Sequence, residues 1–223
     1  MDIWEAMEQR HSVRSYSEKE ISFELTEALQ AEIDACNRES GLDIRLIRDE
    51  ERAFGSFLAR CGKFRGVKNY LVLMGKDEAD TAEKVGYFGE RLVLKMQILG
   101  LNSCWVAATY GKGTVKKLCP AGGGEKLFCV IAFGYGATQG RPHASKAPET
   151  VCPMSAEAPE WFKRGAQAAL LAPTALNRQD FKIELRGGKI SIERESGKSA
   201  DVSLGIVKYH FELGAGKENF EWE

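Results

Sequence analysis

Apolar residues recur along this chain with two different periods, and the alternation between them predicts a mixed helix-and-strand protein. Asp2 can cap a short helix whose apolar face is Ile3, Ala6 and Met7. From Ser22 to about Asn37, the residues Leu25, Ala28, Leu29, Ile33 and Cys36 fall at helical spacing. Ile44 to Ile47 mixes polar and apolar positions and reads as a strand. Tyr70 to Met74 is a continuous apolar run, suited to a central strand buried on both faces. Residues 80 to 99 place Val85, Phe88, Leu92, Met96 and Leu99 on one helical face, with Gly100 as the stop. Leu127 to Phe133 reads as a second buried strand. Residues 137 to 160, rich in Pro, Gly and Ala, read as a loop or crossover. A helix at 159–172 and a strand at 181–185 follow. Arg186-Gly187-Gly188-Lys189 then predicts a hairpin leading into Ile190-Ser191-Ile192. The last helix runs from about Val202 to Leu213 and is expected to end at Gly214. This order predicts an α+β fold with a central, mostly antiparallel sheet surrounded by helices.

The chain echoes itself faintly. Helix, Ala35-Cys36-Asn37-Arg38 and strand are repeated as helix, Ala175-Leu176-Asn177-Arg178 and strand. The helix ending Leu99-Gly100 is matched by the one ending Leu213-Gly214. Such an echo is expected of two half-units, residues 1–145 and a shorter 146–223, packed about a pseudo-twofold axis.

The totals then narrow the classes. A chain of 223 residues with 43% apolar and 28% charged content fits one sizeable globular unit or two half-units sharing a core. A net charge of −1 gives no field that favours nucleic acid or an anionic membrane. No apolar stretch approaches the roughly 18 residues needed to span a bilayer. Met1-Asp2-Ile3-Trp4-Glu5 has neither the basic nor the apolar region of a signal peptide. Cys36, Cys61, Cys104, Cys119, Cys129 and Cys152 form no C-x-x-C pair, so they read as mostly buried, reduced thiols of a cytoplasmic protein. No Cys/His spacing suits zinc.

Three segments carry candidate chemistry. Arg10-His11-Ser12-Val13-Arg14 packs two guanidinium forks and a hydroxyl into five residues, which suits a phosphate; taken alone it is also a solvated helix end. Ala172-Pro173-Thr174-Ala175-Leu176-Asn177-Arg178-Gln179 is a small-residue turn after an apolar helix. Its backbone can approach a flat ligand, and Asn177 can donate and accept at a ring edge. Leu99-Gly100-Leu101-Asn102-Ser103-Cys104-Trp105-Val106-Ala107-Ala108 leads from a long helix through a strand into a small-residue turn that can offer backbone N–H groups.

Taken together, these segments resemble the FMN-dependent nitroreductase family. Arg-His-Ser-Val-Arg followed by Ser15-Tyr16-Ser17, then Gly-Leu-Asn-Ser-Cys-Trp, then a strand ending Ala132-Phe133-Gly134-Tyr135-Gly136 all match. The Ala-Pro-Thr-Ala-Leu-Asn-Arg-Gln segment is similar to that family's Ala-Pro-Ser-x-x-Asn-x-Gln motif. One departure stands out: ordinary members carry this turn after the first long helix, where this chain has Asp34-Ala35-Cys36-Asn37. The family's homodimers build each flavin site from two subunits. A duplicated chain holding each motif once would build one site per polypeptide, as a monomeric pseudodimer.

The resemblance implies FMN as bound cofactor, NAD(P)H as reductant and a ping-pong hydride transfer through flavin N5 to a small-molecule acceptor such as a nitroaromatic or quinone. It implies Arg10 and Ser12 on the phosphate with His11 close by, and Arg14 at the N1–C2 edge, where charge gathers on reduction. Pro173, Thr174 and Asn177 would contact the ring from the other half. Trp105, Ala107 and Ala108 would lie in the ring-supporting segment, Lys146 would be a second basic phosphate ligand, and a pyrimidine-edge ligand is expected between Lys63 and Lys68. No protein acid or base is required. Two competing readings are a non-catalytic flavin-binding or redox-sensing protein and a flavin-free NADP-binding protein.

Other features fall away. Gly134-Tyr135-Gly136-Ala137-Thr138-Gln139-Gly140 follows a strand, but Arg141-Pro142-His143 begins no helix to face a pyrophosphate. Gly122-Gly123-Gly124-Glu125-Lys126 lacks P-loop spacing. His210 has no partner at metal spacing and reads as a packed or surface side chain. No cysteine, Cys104 included, has an evident basic partner.

Overall fold

Tyr70, Leu71, Val72, Leu73 and Met74 are each fully buried, as an uninterrupted apolar run in the middle of a sheet must be. The computed structural model describes residues 1–155, 157–194 and 199–223; of the loop expected at 137–160, Ala156 lies outside the described residues. In chain order the elements are α1 (Ile3–Gln9), α2 (Phe23–Ser40), β1 (Asp43–Ile47), α3 (Phe57–Cys61), β2 (Asn69–Lys76), α4 (Thr81–Ile98), β3 (Asn102–Val106), α5 (Lys112–Leu118), β4 (Glu125–Gly134), α6 (Pro148–Val151), α7 (Glu160–Leu171), β5 (Phe181–Arg186), β6 (Lys189–Arg194), α8 (Ala200–Ala215) and β7 (Glu221–Trp222).

Strands β1, β2, β4 and β3 lie side by side in that order, every pair antiparallel. The period of two sends Val72, Met74, Val130, Ala132, Cys104 and Val106 to one face, and Leu71, Leu73, Cys129, Ile131 and Phe133 to the other. Helices α2 and α4 close the second face with Leu29, Ile33, Cys36, Val85, Leu92 and Met96. The first face is closed by Val13 and Tyr16 near the N-terminus, by Phe54, Phe64 and Val67, and by Tyr110 and Val115. The segment after α1 is therefore held by the core, which is what fixes the residues around Arg10.

The second half builds a cluster of its own from Phe162, Phe181, Ile183, Ile190, Phe211 and their neighbours. Its β5–β6 hairpin turns through Gly187 and Gly188 at φ +56° and +87°, the pair of left-handed residues a two-residue primed turn requires. Strand β7 pairs with β6 in parallel, so the strands form two sheets rather than one. Helices α4 and α8 cross at close range. A Cβ on Gly86 would sit 1.9 Å from the Val202 carbonyl oxygen, and one on Gly205 would sit 1.9 Å from that of Glu83. Each glycine thus meets the carbonyl three residues before the other, so the crossing is reciprocal.

Several boundaries differ from the sequence expectation. Helix α2 runs on to Ser40 and ends at Gly41 in the left-handed conformation. Helix α8 does not stop at Gly214. That glycine lies inside it, pressed against the Arg164 backbone at a distance only glycine tolerates, and Gly216 is the cap. The 137–160 segment contains the short helix α6. Five cysteines are buried as expected, whereas Cys61 is exposed.

Candidate functional site

Helix α1 opens with a capping box: Asp2 accepts from the Glu5 N–H at 2.9 Å, and the Glu5 carboxylate accepts from the Asp2 N–H at 3.0 Å. It ends at Arg10, whose own N–H still reaches the Ala6 carbonyl at 3.0 Å while its backbone has turned extended. From there the chain runs as an extra strand-like segment. The Val13 N–H donates to Ser103, the Tyr16 N–H to Arg65, the Arg65 N–H to Arg14 and the Ser17 N–H to Tyr135, at 2.8–3.0 Å. Val13 and Tyr16 are buried, Ser12 is half-buried and Arg14 is exposed. The Tyr16 hydroxyl locks the segment by donating to the Val13 and Ala132 carbonyls at 2.7 and 3.1 Å.

Arg10 is unlike the other arginines. It is 4% exposed, yet among the described residues its Nε has no hydrogen-bond acceptor. Burial pushes its pKa down, with Glu90 and the Cys104 thiol pulling the other way. Glu90, on α4, is fully buried; its Oε1 lies 3.8 Å from Arg10 Nε and 3.0 Å from His210 Nε2, and its Oε2 accepts from Trp105 Nε1 at 2.8 Å. Burial likewise pushes the Cys104 thiol up, while Arg14, the Ser12 hydroxyl and Arg10 act on it in the opposite direction. Three of the residues implied for the phosphate and the pyrimidine edge therefore converge on one spot.

Residues 139–146 join this spot to the second segment. The Gln139 carbonyl contacts His11 Nδ1 at 3.1 Å. His143 donates to the Leu170 carbonyl at 2.9 Å; its pKa is lowered chiefly by burial, against the raising effect of that hydrogen bond and with Arg10, His210 and His11 adding to the downward shift. The Ala144 carbonyl accepts from both Asn177 Nδ2 and Gln179 Nε2 at 2.8 Å. Lys146 donates through its backbone N–H to Gln179 Oε1 at 2.9 Å, and through its ammonium to the Gln179 carbonyl at 3.1 Å and Asp180 at 3.3 Å. The Arg10 segment and the Asn177 turn thus flank one connecting loop segment.

The turn itself is closed by Thr174, whose hydroxyl oxygen accepts from the Gln179 N–H at 3.0 Å. Leu176, Asn177 and Gln179 have φ of +56°, +54° and +51°, a conformation costly for residues with a side chain. Pro173 is half-buried, and Leu176 is 89% exposed.

The remaining expected residues are placed less directly. Trp105 turns its indole into the helix side of the sheet against Gly89 and Glu90. Ala107 and Ala108 are exposed just past the end of β3. Between Lys63 and Lys68, the Lys63 and Arg65 side chains are exposed, whereas Lys68 pairs with Glu18. Sequence reasoning passed over Glu90, Gln179, His143 and the role of His210. Gln179 was visible as the last letter of the turn motif. Glu90 and His210 sit on helices 120 positions apart and leave no spacing to read.

Comparison with known proteins establishes the family and the fold. The family model described as "Putative TM nitroreductase" matches residues 2–215, and the chain belongs to that nitroreductase family. No curated protein matches. A solved structure described as a "putative nitroreductase" from Thermotoga maritima superposes with a TM-score of 0.70 at 25% identity, covering 98% of this chain and 85% of that one. A further nitroreductase so described, from Desulfovibrio desulfuricans in complex with FMN, has a TM-score of 0.54 at 18% identity over 71% of this chain and 98% of that one. An NADH dehydrogenase/NAD(P)H nitroreductase from Bacteroides thetaiotaomicron, also labelled "putative", gives 0.51 at 18% identity over 67% and 95%. At these lower identities the likeness is one of fold. Among the described residues, no helix is long and apolar enough to cross a membrane.

Proposed function

We propose that this chain is an FMN-dependent oxidoreductase that passes hydride from NAD(P)H to a flat small-molecule acceptor, a nitroaromatic or a quinone, by a ping-pong cycle. The observation that carries the reading is Arg10: a buried guanidinium with an unmet donor, at the head of the segment that resembles the family's phosphate motif. A buried donor without an acceptor is costly, and a phosphate oxygen removes that cost with a charge-assisted bond.

The residues present fit the cofactor. Arg10, the Ser12 hydroxyl and His11 would hold its phosphate, and Arg14 would stand at the pyrimidine edge. Pro173, Thr174 and Asn177 would meet the ring from the other half, with the backbone at Trp105, Ala107 and Ala108 behind it. When bound, the flavin supplies hydride acceptance and donation at N5, chemistry that no side chain here provides. The protein's part is to orient and to tune charge. Arg14, exposed and positive, would stabilise negative charge arriving at its edge, and the rigid turn at 173–179 would hold the ring without reorganising. Lys146, already bonded to Gln179 and Asp180, would act chiefly by fastening that turn.

The reciprocal crossing of α4 and α8 supports a pseudodimer with one flavin per chain, its halves being 1–145 and 146–223. Two measurements test the whole reading. Purified protein should be yellow, with one flavin per chain and the hydrodynamic mass of a single chain. Anaerobic mixing with NADH or NADPH should bleach it, and a quinone or nitroaromatic should restore the colour. A colourless folded protein, or bound flavin inert to both nucleotides, would overturn the enzyme assignment.

A further inference from the structure

The hydrogen bonds around Glu90 fix how many protons the buried cluster holds. His210 Nδ1 lies 3.1 Å from the Ala168 carbonyl oxygen, and its Nε2 lies 3.0 Å from Glu90 Oε1; both side chains are fully buried. A carbonyl oxygen only accepts, so Nδ1 carries a hydrogen. A carboxylate also only accepts. Either Nε2 carries a second hydrogen and His210 is an imidazolium beside a carboxylate, or Glu90 holds that hydrogen and donates it to a neutral ring. The two arrangements have the same total charge: the pair is neutral. Trp105 occupies Oε2 and adds none.

Arg10 is therefore left with its charge. Its Nε stands 3.8 Å from Oε1, too far for a hydrogen bond, and has no other acceptor. The other acidic group acting on it, the Cys104 thiol, is held neutral by burial. His143, whose titration Arg10 affects, brings no negative charge. An ionised Glu90 beside a neutral His210 would instead cancel the Arg10 charge, and would set a lone pair on one ring nitrogen against an oxygen lone pair in a dry interior.

We propose that His210 is a charge-compensating, positioning residue for the phosphate site. By sharing one proton with Glu90, it keeps that carboxylate from neutralising Arg10, so the buried cluster presents one net positive charge to an incoming phosphate. Glu90 then serves as a neutral junction that ties α4, β3 and α8 behind Arg10. The inference rests on the reading that Arg10 meets the flavin phosphate, and the test separates the two.

FMN and riboflavin, which differ only in that phosphate, would be titrated into the full-length chain and its variants by flavin fluorescence. His210→Gln leaves an ionised Glu90 facing Arg10, and should weaken FMN by about ten-fold or more while riboflavin changes by less than about two-fold. Glu90→Gln should leave FMN affinity within about three-fold. Its amide can accept from Trp105 and donate to a neutral His210, and Arg10 stays uncompensated. The double variant should recover the affinity lost in His210→Gln. Equal weakening of both flavins by His210→Gln would reduce the residue to a packing role and overturn the proposal. So would a ten-fold tightening of FMN in Glu90→Gln, which needs no variant at His210 to fold. Failure of the underlying reading shows elsewhere: Arg10→Ala would then leave the preference for FMN over riboflavin intact.

Discussion

Around Arg10 the polar groups are buried, few, and short of one acceptor; around Asn177 they are more numerous, and Asn177, Gln179 and Lys146 are all paired. Arg10 Nε stands unpaired in a site 4% exposed, whereas Asn177 donates to Ala144 and accepts from Gln179 although water is at hand. The strain is distributed the other way. Arg10 has an ordinary extended backbone, but the turn holds three side-chain-bearing residues at positive φ. One region stores an unmet electrostatic demand in relaxed backbone, and the other stores backbone strain under satisfied hydrogen bonds. The first is suited to capture a charge, the second to present a shape.

The sharpest way to break this contrast is to compare Arg10→Ala with Lys146→Ala. Removing the buried guanidinium should weaken FMN by about a hundred-fold, the loss expected of a charge-assisted pair in a dry site. Lys146→Ala should weaken it several-fold at most, because that ammonium is already engaged by Gln179 and Asp180. Equilibrium dialysis of FMN against both variants reads the difference, and equal losses would mean that the anion sits between the two regions rather than at Arg10.

Gln179→Ala should reverse the pattern. Gln179 is 1% exposed, and its side chain bonds Ala144, Asn177 and the Lys146 N–H, so truncation removes three hydrogen bonds. About 2–3 kcal/mol of stability should go with them, seen as a drop in Tm of about 4–12 °C, with the preference for FMN over riboflavin unchanged. A phosphate-selective effect would show that the turn takes part in charge recognition.

Smaller in size, Leu176→Gly should stabilise the chain. Leu176 is 89% exposed at φ +56°, so the substitution relieves left-handed strain and forfeits almost no burial. Glycine's greater unfolded-state entropy offsets part of the gain, leaving about 0.5–1 kcal/mol, or a few degrees in Tm. Destabilisation by this change would mean that the leucine side chain is covered in solution.

These contrasts also explain what the sequence made legible. Strands such as 70–74 and the helix over 81–98 declare themselves because a buried surface imposes a period, and the hairpin does so because two glycines at positive φ have few other uses. Arg10, Ser12, Arg14 and Asn177 were legible as motif letters. Gly214 misled, since a glycine that admits a crossing helix looks the same in sequence as one that ends a helix. The Glu90–His210 pair was invisible for a related reason. A proton shared between two helices depends on how the helices cross, and that crossing is set by Gly86 and Gly205 rather than by any spacing between the partners.

The smallest expected effect concerns acid. Burial lowers the His143 pKa; the hydrogen bond to the Leu170 carbonyl opposes this, Arg10, His210 and His11 reinforce it, and the net shift is downward, so the folded chain binds this proton less readily than the unfolded chain, where histidine titrates near 6.5. Whenever the unfolded state holds more protons, stability rises with pH. The contribution of His143 is therefore flat above about pH 7 and becomes increasingly unfavourable as pH falls through about 6.5. Its ring donates to Leu170 through Nε2, a bond that a neutral amide can copy. His143→Gln should match the parent Tm at pH 7.5 and lose less of it at pH 5.5, with the difference shrinking in high salt, where the neighbouring positive charges are screened. A larger acid sensitivity in the variant would place the protonated ring among acceptors, and would turn the positive field proposed for the Arg10 end into a negative one.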